Sequence, residues 1–206
     1  MEKKNIGVLL CVIAVISIIV SLYFDDYLME KVSLLRSGTL DNFFLFITLI
    51  SSEIIIFFVF TALFLWRENK RRWILPLWMT LGISALIGFI IKILIQRERP
   101  YQLGLINIIP SLEEASHLIW NFSFPSFHSM FVFCAIPILA LQFPKLKKIF
   151  IIFAVLVAFS RVYLGLHFIS DVIAGGLIGY LIGVMVVKWE KENGLGRKVY
   201  DKVFGK

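Results

Sequence analysis

A chain of 206 residues that is 59% hydrophobic, with a mean hydropathy of +0.88, is too apolar for a soluble domain, where about 45–50% apolar residues is usual. In a membrane protein the formal net charge of +7 reports topology rather than nucleic-acid binding, so nucleic acid is not expected as a partner. Cys11 and Cys134 lie inside apolar runs and define neither a disulfide framework nor a zinc site, and no Gly-rich phosphate loop or repeat is present.

In chain order, Lys3 and Lys4 precede Ile6–Phe24. This run is too long for a secretory h-region and lacks a small-residue cleavage site, so it reads as a retained first span. The mixed-charge segment Asp25–Asp41 has room for a short interfacial helix. The second predicted span is Asn42–Trp66, with Glu53 near its middle after Ser51 and Ser52. A carboxyl at that depth is costly and is expected to face the bundle interior, either protonated and bonded to a neighbouring helix or near substrate. A basic loop, Arg67–Arg72, leads to the third span, Trp73–Ile95, whose Gly82, Ser84, Ala85 and Gly88 permit close helix packing. Lys92 lies near its end, and Pro100 is expected to stop the helix near Arg99.

The longest loop, Tyr101–Phe124, carries His117, read as a solvated histidine. Pro125-Ser126-Phe127-His128 opens the fourth span, which runs to about Gln142. Proline suits a helix start, and first-turn N–H groups are open to an anion. Phe143–Lys148 is a second basic loop. The fifth span begins at Ile149 and ends within Ser160–Tyr163. The sixth runs from about Ser170 to Trp189, with Gly175, Gly176, Gly179 and Gly183 as a small-residue face. The tail, residues 190–206, is basic and polar.

Six spans give an all-α integral membrane bundle and place every simple basic segment on one side. By the positive-inside rule that side is the cytoplasm, with both termini. The other side gathers the polar candidates except Glu53. His167 and Asp171 are four apart, so on a helix they share a face, and a carboxylate beside an imidazole fixes its tautomer and orientation. Lys92 and Arg99, seven apart, are expected to share a face near a helix end. With Arg161 they make three cations, and Ser126 adds a hydroxyl donor. Three cations and two histidines, His128 and His167, suit in-line attack on phosphorus: one imidazole attacks, the other protonates the departing oxygen, and the cations hold the equatorial oxygens. With no carboxylate cluster for magnesium, the expected chemistry needs no metal or other cofactor.

Lys92-x6-Arg99-Pro100, Pro125-Ser126-x-His128 and Ser160-Arg161-x5-His167-x3-Asp171 resemble the three signature motifs of the type 2 phosphatidic acid phosphatase superfamily. The motif region covers residues 92–171 of a single membrane-embedded phosphatase domain, 1–206. The resemblance implies that His167 is the nucleophile that forms a phosphohistidine, Asp171 its orienting partner and His128 the general acid. It implies phosphate binding by Lys92, Arg99, Ser126 and Arg161, with Ser160 and the backbone of Phe127 beside them. The family's second motif usually reads Pro-Ser-Gly-His. Phe127 keeps the N–H but does not readily take a left-handed conformation, and its ring is placed to narrow the pocket or touch a lipid chain.

The function this implies is hydrolysis of a lipid phosphate or diphosphate at the outer face of the cell membrane. Undecaprenyl diphosphate leads, with phosphatidylglycerophosphate and phosphatidic acid close behind. Two rivals remain: phosphoryl or headgroup transfer to another acceptor, and a non-catalytic lipid-phosphate binder or transporter. The partners are the lipid substrate and the bilayer. Nothing in the sequence sets an oligomeric state.

Overall fold

The computed structural model describes residues 3–109, 112 and 121–204, all helix, turn or loop; His117 lies outside them. The first helix, α1, spans Lys3–Ser33, running past Phe24 through the polar residues that follow. It continues because Asp25, itself buried, has polar partners on other elements, and Lys31 suits the negative end of its dipole. Ser37 then caps α2, Gly38–Ile50, accepting from Leu40 N–H.

The second predicted span is broken. α2 ends at Ile50 and α3 occupies Glu53–Trp66, the two bent by 61°. The two serines account for the break. Ser51 Oγ donates to Thr48 O at 3.1 Å, and Ser52 caps α3 by accepting from Ile55 N–H, so both side chains compete with a continuous helical ladder. Glu53 therefore sits in the first turn of a new helix, not in the middle of a span.

A 3-10 turn, Glu68–Trp73, leads into α4, Ile74–Ile95. This helix stops short of Arg99 because Gln96 takes a left-handed cap, φ 50°, and returns its N–H to Lys92 O at 2.9 Å. Lys92 and Arg99 therefore do not share a helical face, as Arg99 lies in the following loop. Three helices follow: α5, Phe127–Gln142; α6, Lys147–Tyr163; and α7, Ile169–Asn193. Gly194, at φ 62°, turns the chain into α8, Leu195–Phe204.

The centre of the bundle is α7, which packs against α1, α4, α5 and α6. Its tightest neighbour is α5. A Cβ on Gly175 would lie 2.6 Å from Ser126 O, and Gly179 and Gly183 face the Met130 and Cys134 carbonyls as closely. Small residues on α7 thus let the two backbones touch and fix the start of α5 against the start of α7. A core around Phe64, Leu77, Ile138 and Leu139 fills the other end of the bundle, while Met29, Phe44, Tyr163 and Phe168 pack beneath the motif residues.

The basic segments meet at one end. Lys70 Nζ lies 4.1 Å from the Phe143 ring centroid, Arg67 and Lys145 line one cavity, and Gly196 of α8 packs on Arg72 O. The segments 68–95 and 169–193 are long and apolar enough to cross a bilayer, and the bent pair α2/α3 qualifies as one broken span. At 16 and 17 residues, α5 and α6 fall short of the ~20 that a perpendicular crossing takes.

Candidate active site

The motif residues converge where α4, α5 and α6 meet the start of α7. Lys92 is buried; its Nζ donates to the Phe122 carbonyl and lies 5.1 Å from the Phe127 ring centroid. Arg99 donates to Leu166 O at 3.1 Å and Asn121 O at 3.3 Å. Arg161, also buried, donates from Nη1 to Thr48 Oγ1 at 3.0 Å, while its Nε has no partner. Ser160 Oγ is 3.1 Å from the same Thr48 oxygen. All three motif cations therefore rest on neutral oxygens, and among the described residues none forms a salt bridge. Buried charge without a counter-charge is costly, so the arrangement suits an anion. Burial lowers the Arg99 pKa from its usual value, which reports the same cost.

Ser126 is the N-cap of α5 but makes no side-chain cap bond. Its Oγ accepts from Ser129 Oγ at 3.3 Å, and its N–H donates to Asp171 O at 3.2 Å. Phe127 opens the helix without a positive φ, so replacing glycine imposes no backbone strain. Its ring turns toward α4, into the space left by Gly88, where a Cβ would meet Phe127 Cδ1 at 2.9 Å.

His167 lies outside α7 rather than on one face with Asp171. Gly165, at φ 73°, turns the chain after α6, and Asp171 caps α7 from its third position, accepting from Phe168 N–H at 2.8 Å. His167 Nδ1 sits 3.7 Å from Asp171 Oδ2, beyond hydrogen-bond length, and is buried without a partner. Burial holds the His167 pKa well below the usual imidazole value, and the cations Arg99, Lys92 and Arg161 lower it further. Both effects favour the neutral ring, the form in which an imidazole can act as a nucleophile.

Several partners were not singled out from sequence, whereas Glu53 was, as a carboxyl either bonded to a neighbouring helix or near substrate. Arg97 bridges Asp171 Oδ1 and Asp25 Oδ2, both at 2.8 Å, and donates to Ser170 Oγ at 2.7 Å. Ser123 Oγ donates to Asp171. Thr48 reaches in from α2. Glu53 Oε1 lies 3.0 Å from His128 Nδ1, so the carboxyl that stood apart from the other candidates joins them. Only Glu53 carried a local signal, an ionisable group in an apolar run; the rest depend on distant pairings. The described residues contain no group of three or more His, Cys, Asp or Glu side chains arranged to hold a metal.

Uncompensated cations gathered with two histidines in a bundle of apolar helices define a membrane protein with a site suited to an anion. The chain is a member of the PAP2 superfamily, whose pattern matches residues 73–195. It is 30% identical over 201 residues to an undecaprenyl-diphosphatase of Sulfolobus acidocaldarius, covering 92% of this chain and 93% of that one. It is 35% identical over 125 residues to phosphatidylglycerophosphatase B of Bacillus subtilis, an alignment covering 55% of this chain and 56% of that protein. Among solved structures, a transmembrane PAP2-type phosphatidylglycerolphosphate phosphatase from Bacillus subtilis superposes with a TM-score of 0.69 at 27% identity, over 94% of this chain and 98% of that one.

Proposed function

We propose that the protein hydrolyses a lipid phosphate or diphosphate through a phosphohistidine, without a metal ion. The observation that carries this reading is the set of three motif cations held on neutral oxygens. Lys92, Arg99 and Arg161 bind the phosphoryl oxygens, with Ser126 and the first N–H groups of α5 beside them. Ser160 holds Thr48, and through it Arg161. The cations neutralise the charge that develops at phosphorus, the task a metal performs elsewhere.

Asp171 lies on the Nδ1 side of His167, which leaves Nε2 to attack. The Nε2–P bond forms at the terminal phosphorus as its bond to the leaving oxygen breaks, the lipid alkoxide oxygen in a monophosphate or the bridging oxygen in a diphosphate, and His128 gives that oxygen a proton. Water then attacks the phosphohistidine, His128 takes the water's proton, and inorganic phosphate leaves. Undecaprenyl diphosphate is the first substrate to test, since the relative aligned over 92% of the chain bears that activity in its name; phosphatidylglycerophosphate follows, then phosphatidic acid. A six-span topology with both termini in the cytoplasm would put this chemistry on the outer face, and the gathering of the basic loops at the opposite end supports that orientation.

The test is phosphate release from these three lipids in detergent with EDTA present. Release from at least one is expected, with a trapped phosphoenzyme that His167→Ala abolishes for every substrate. Loss of activity on chelation, restored by magnesium, overturns the metal-free mechanism. Product carrying the phosphoryl group on an added alcohol reveals a transferase, and binding without turnover reveals a lipid carrier.

A further inference from the structure

The site contains two carboxylate–imidazole pairs, and the closer one is not the pair within a signature motif. His167 and Asp171 stand 3.7 Å apart; His128 and Glu53 stand 3.0 Å apart, through Nδ1 and Oε1. Glu53 arrives there by local design. Ser51 and Ser52 break the α2/α3 span, Ser52 caps α3, and the 61° bend sets Glu53 in the first turn. A carboxylate at that position is favoured by the helix dipole. Glu53 also lies outside the segment matched by the family pattern, 73–195, so none of the three motifs includes it.

We infer that Glu53 is a positioning residue for His128: its carboxylate pairs with Nδ1, fixes the ring and leaves Nε2 to deliver the proton to the leaving oxygen. The inference rests on the reading of His128 as general acid. An acid that donates from Nε2 must carry a second proton on Nδ1, so the imidazolium is the working form. The other charged groups around the ring are cations. Arg161 comes from α6 and Arg99 from the loop after α4, while Lys92 of α4 acts on Glu53; neutral His167 is also near. These cations suit the phosphate and oppose protonation of His128. The carboxylate that offsets them at the ring itself is Glu53; Asp171, on α7, is taken up by Arg97, Ser123 and the Phe168 N–H. Glu53 thus works against burial and the cations that suit the phosphoryl group, favouring the protonated ring at the one histidine that must give up a proton.

A residue that acts through the acid has a signature that a packing role lacks. A lipid alkoxide needs its proton most, whereas an activated aryl phosphate departs with little help. The experiment compares Glu53→Gln, Glu53→Asp and His128→Ala with the parent protein on a lipid monophosphate and on an aryl phosphate, over a range of pH. Thermal melting of each variant in detergent accompanies the kinetics.

Glu53→Gln is expected to lower kcat on the lipid monophosphate by about 10- to 100-fold, part of the ~10²–10⁴-fold that a general acid contributes. On the aryl phosphate the pre-steady-state release of the phenol, which reports phosphoenzyme formation and precedes the water step that His128 serves, is expected to stay within about threefold of the parent, which also shows that the variant is folded. Without the carboxylate the imidazolium loses its proton more easily, so the basic limb of the kcat profile moves to lower pH. Glu53→Asp is expected to restore part of both the rate and the limb. Equal losses on both substrates with an unmoved basic limb, while His128→Ala keeps its dependence on the leaving group, overturn the role of Glu53 alone. If His128→Ala itself shows no dependence on the leaving group, the acid assignment fails and the inference falls with it.

Discussion

Phe127 shows how one side chain is accommodated by another that is missing. Its ring occupies the space beside Gly88, where an added Cβ would crowd both Phe127 and Met130 Sδ, the latter at 2.8 Å, and it borders Lys92. Gly88→Ala is expected to push the ring toward the phosphate site and lower kcat/KM on lipid phosphates by about tenfold. Adding Phe127→Gly to the same chain should return most of the loss, a coupling on the order of 0.5–3 kcal/mol for residues in contact. Additive losses in the double-mutant cycle would remove this account. The motif residues were legible in the sequence because side-chain type and spacing define them: Lys92, Arg99, Ser126, His128, Arg161 and His167 all reach one place. Thr48, Ser123, Arg97 and Asp25 were not, because each is an unremarkable residue until a distant partner meets it.

At the scale of elements, apolar runs marked the helices well and their ends poorly. Gln96 ends α4 before Pro100 has any effect, two serines divide a run that reads as one span, and α1 runs on through charged residues. Ends are decided by single caps and by tertiary partners, neither of which alters a hydropathy pattern. One such partner is Arg97, the tie between α1 and α7. Asp25 is 2% exposed and Asp171 is fully buried, so Arg97→Met leaves two carboxylates without their cation. Removing one partner of a buried pair costs about 3–5 kcal/mol, and the 23% exposure of Arg97 favours the low end of that range. Thermal or denaturant unfolding in detergent measures it. A variant as stable as the parent would mean that the tie holds nothing together. Loss of activity is also expected, because Asp171 caps the helix that follows His167.

Across the whole molecule, the proposed chemistry occupies one end of the bundle and the basic loops the other. The proposed orientation is checked by cysteine labelling in a background lacking Cys11 and Cys134. Leu103→Cys, exposed at the active-site end, should react with an impermeant reagent added to intact cells. Lys148→Cys, exposed in the basic turn entering α6, should react only after lysis. The reverse pattern would move the site to the inner leaflet and change which lipids reach it. The division of the chain is less tidy than the division of the bundle. The family pattern begins at residue 73, yet Asp25 holds Arg97, Thr48 holds Arg161 and Glu53 pairs with His128. A chain begun at Trp73 would carry every signature residue and lack a partner for each of those three. The smallest stretch that can be recognised is therefore shorter than the smallest stretch that can be transplanted, and grafting the motifs onto another bundle would require the first three helices of this chain to come with them.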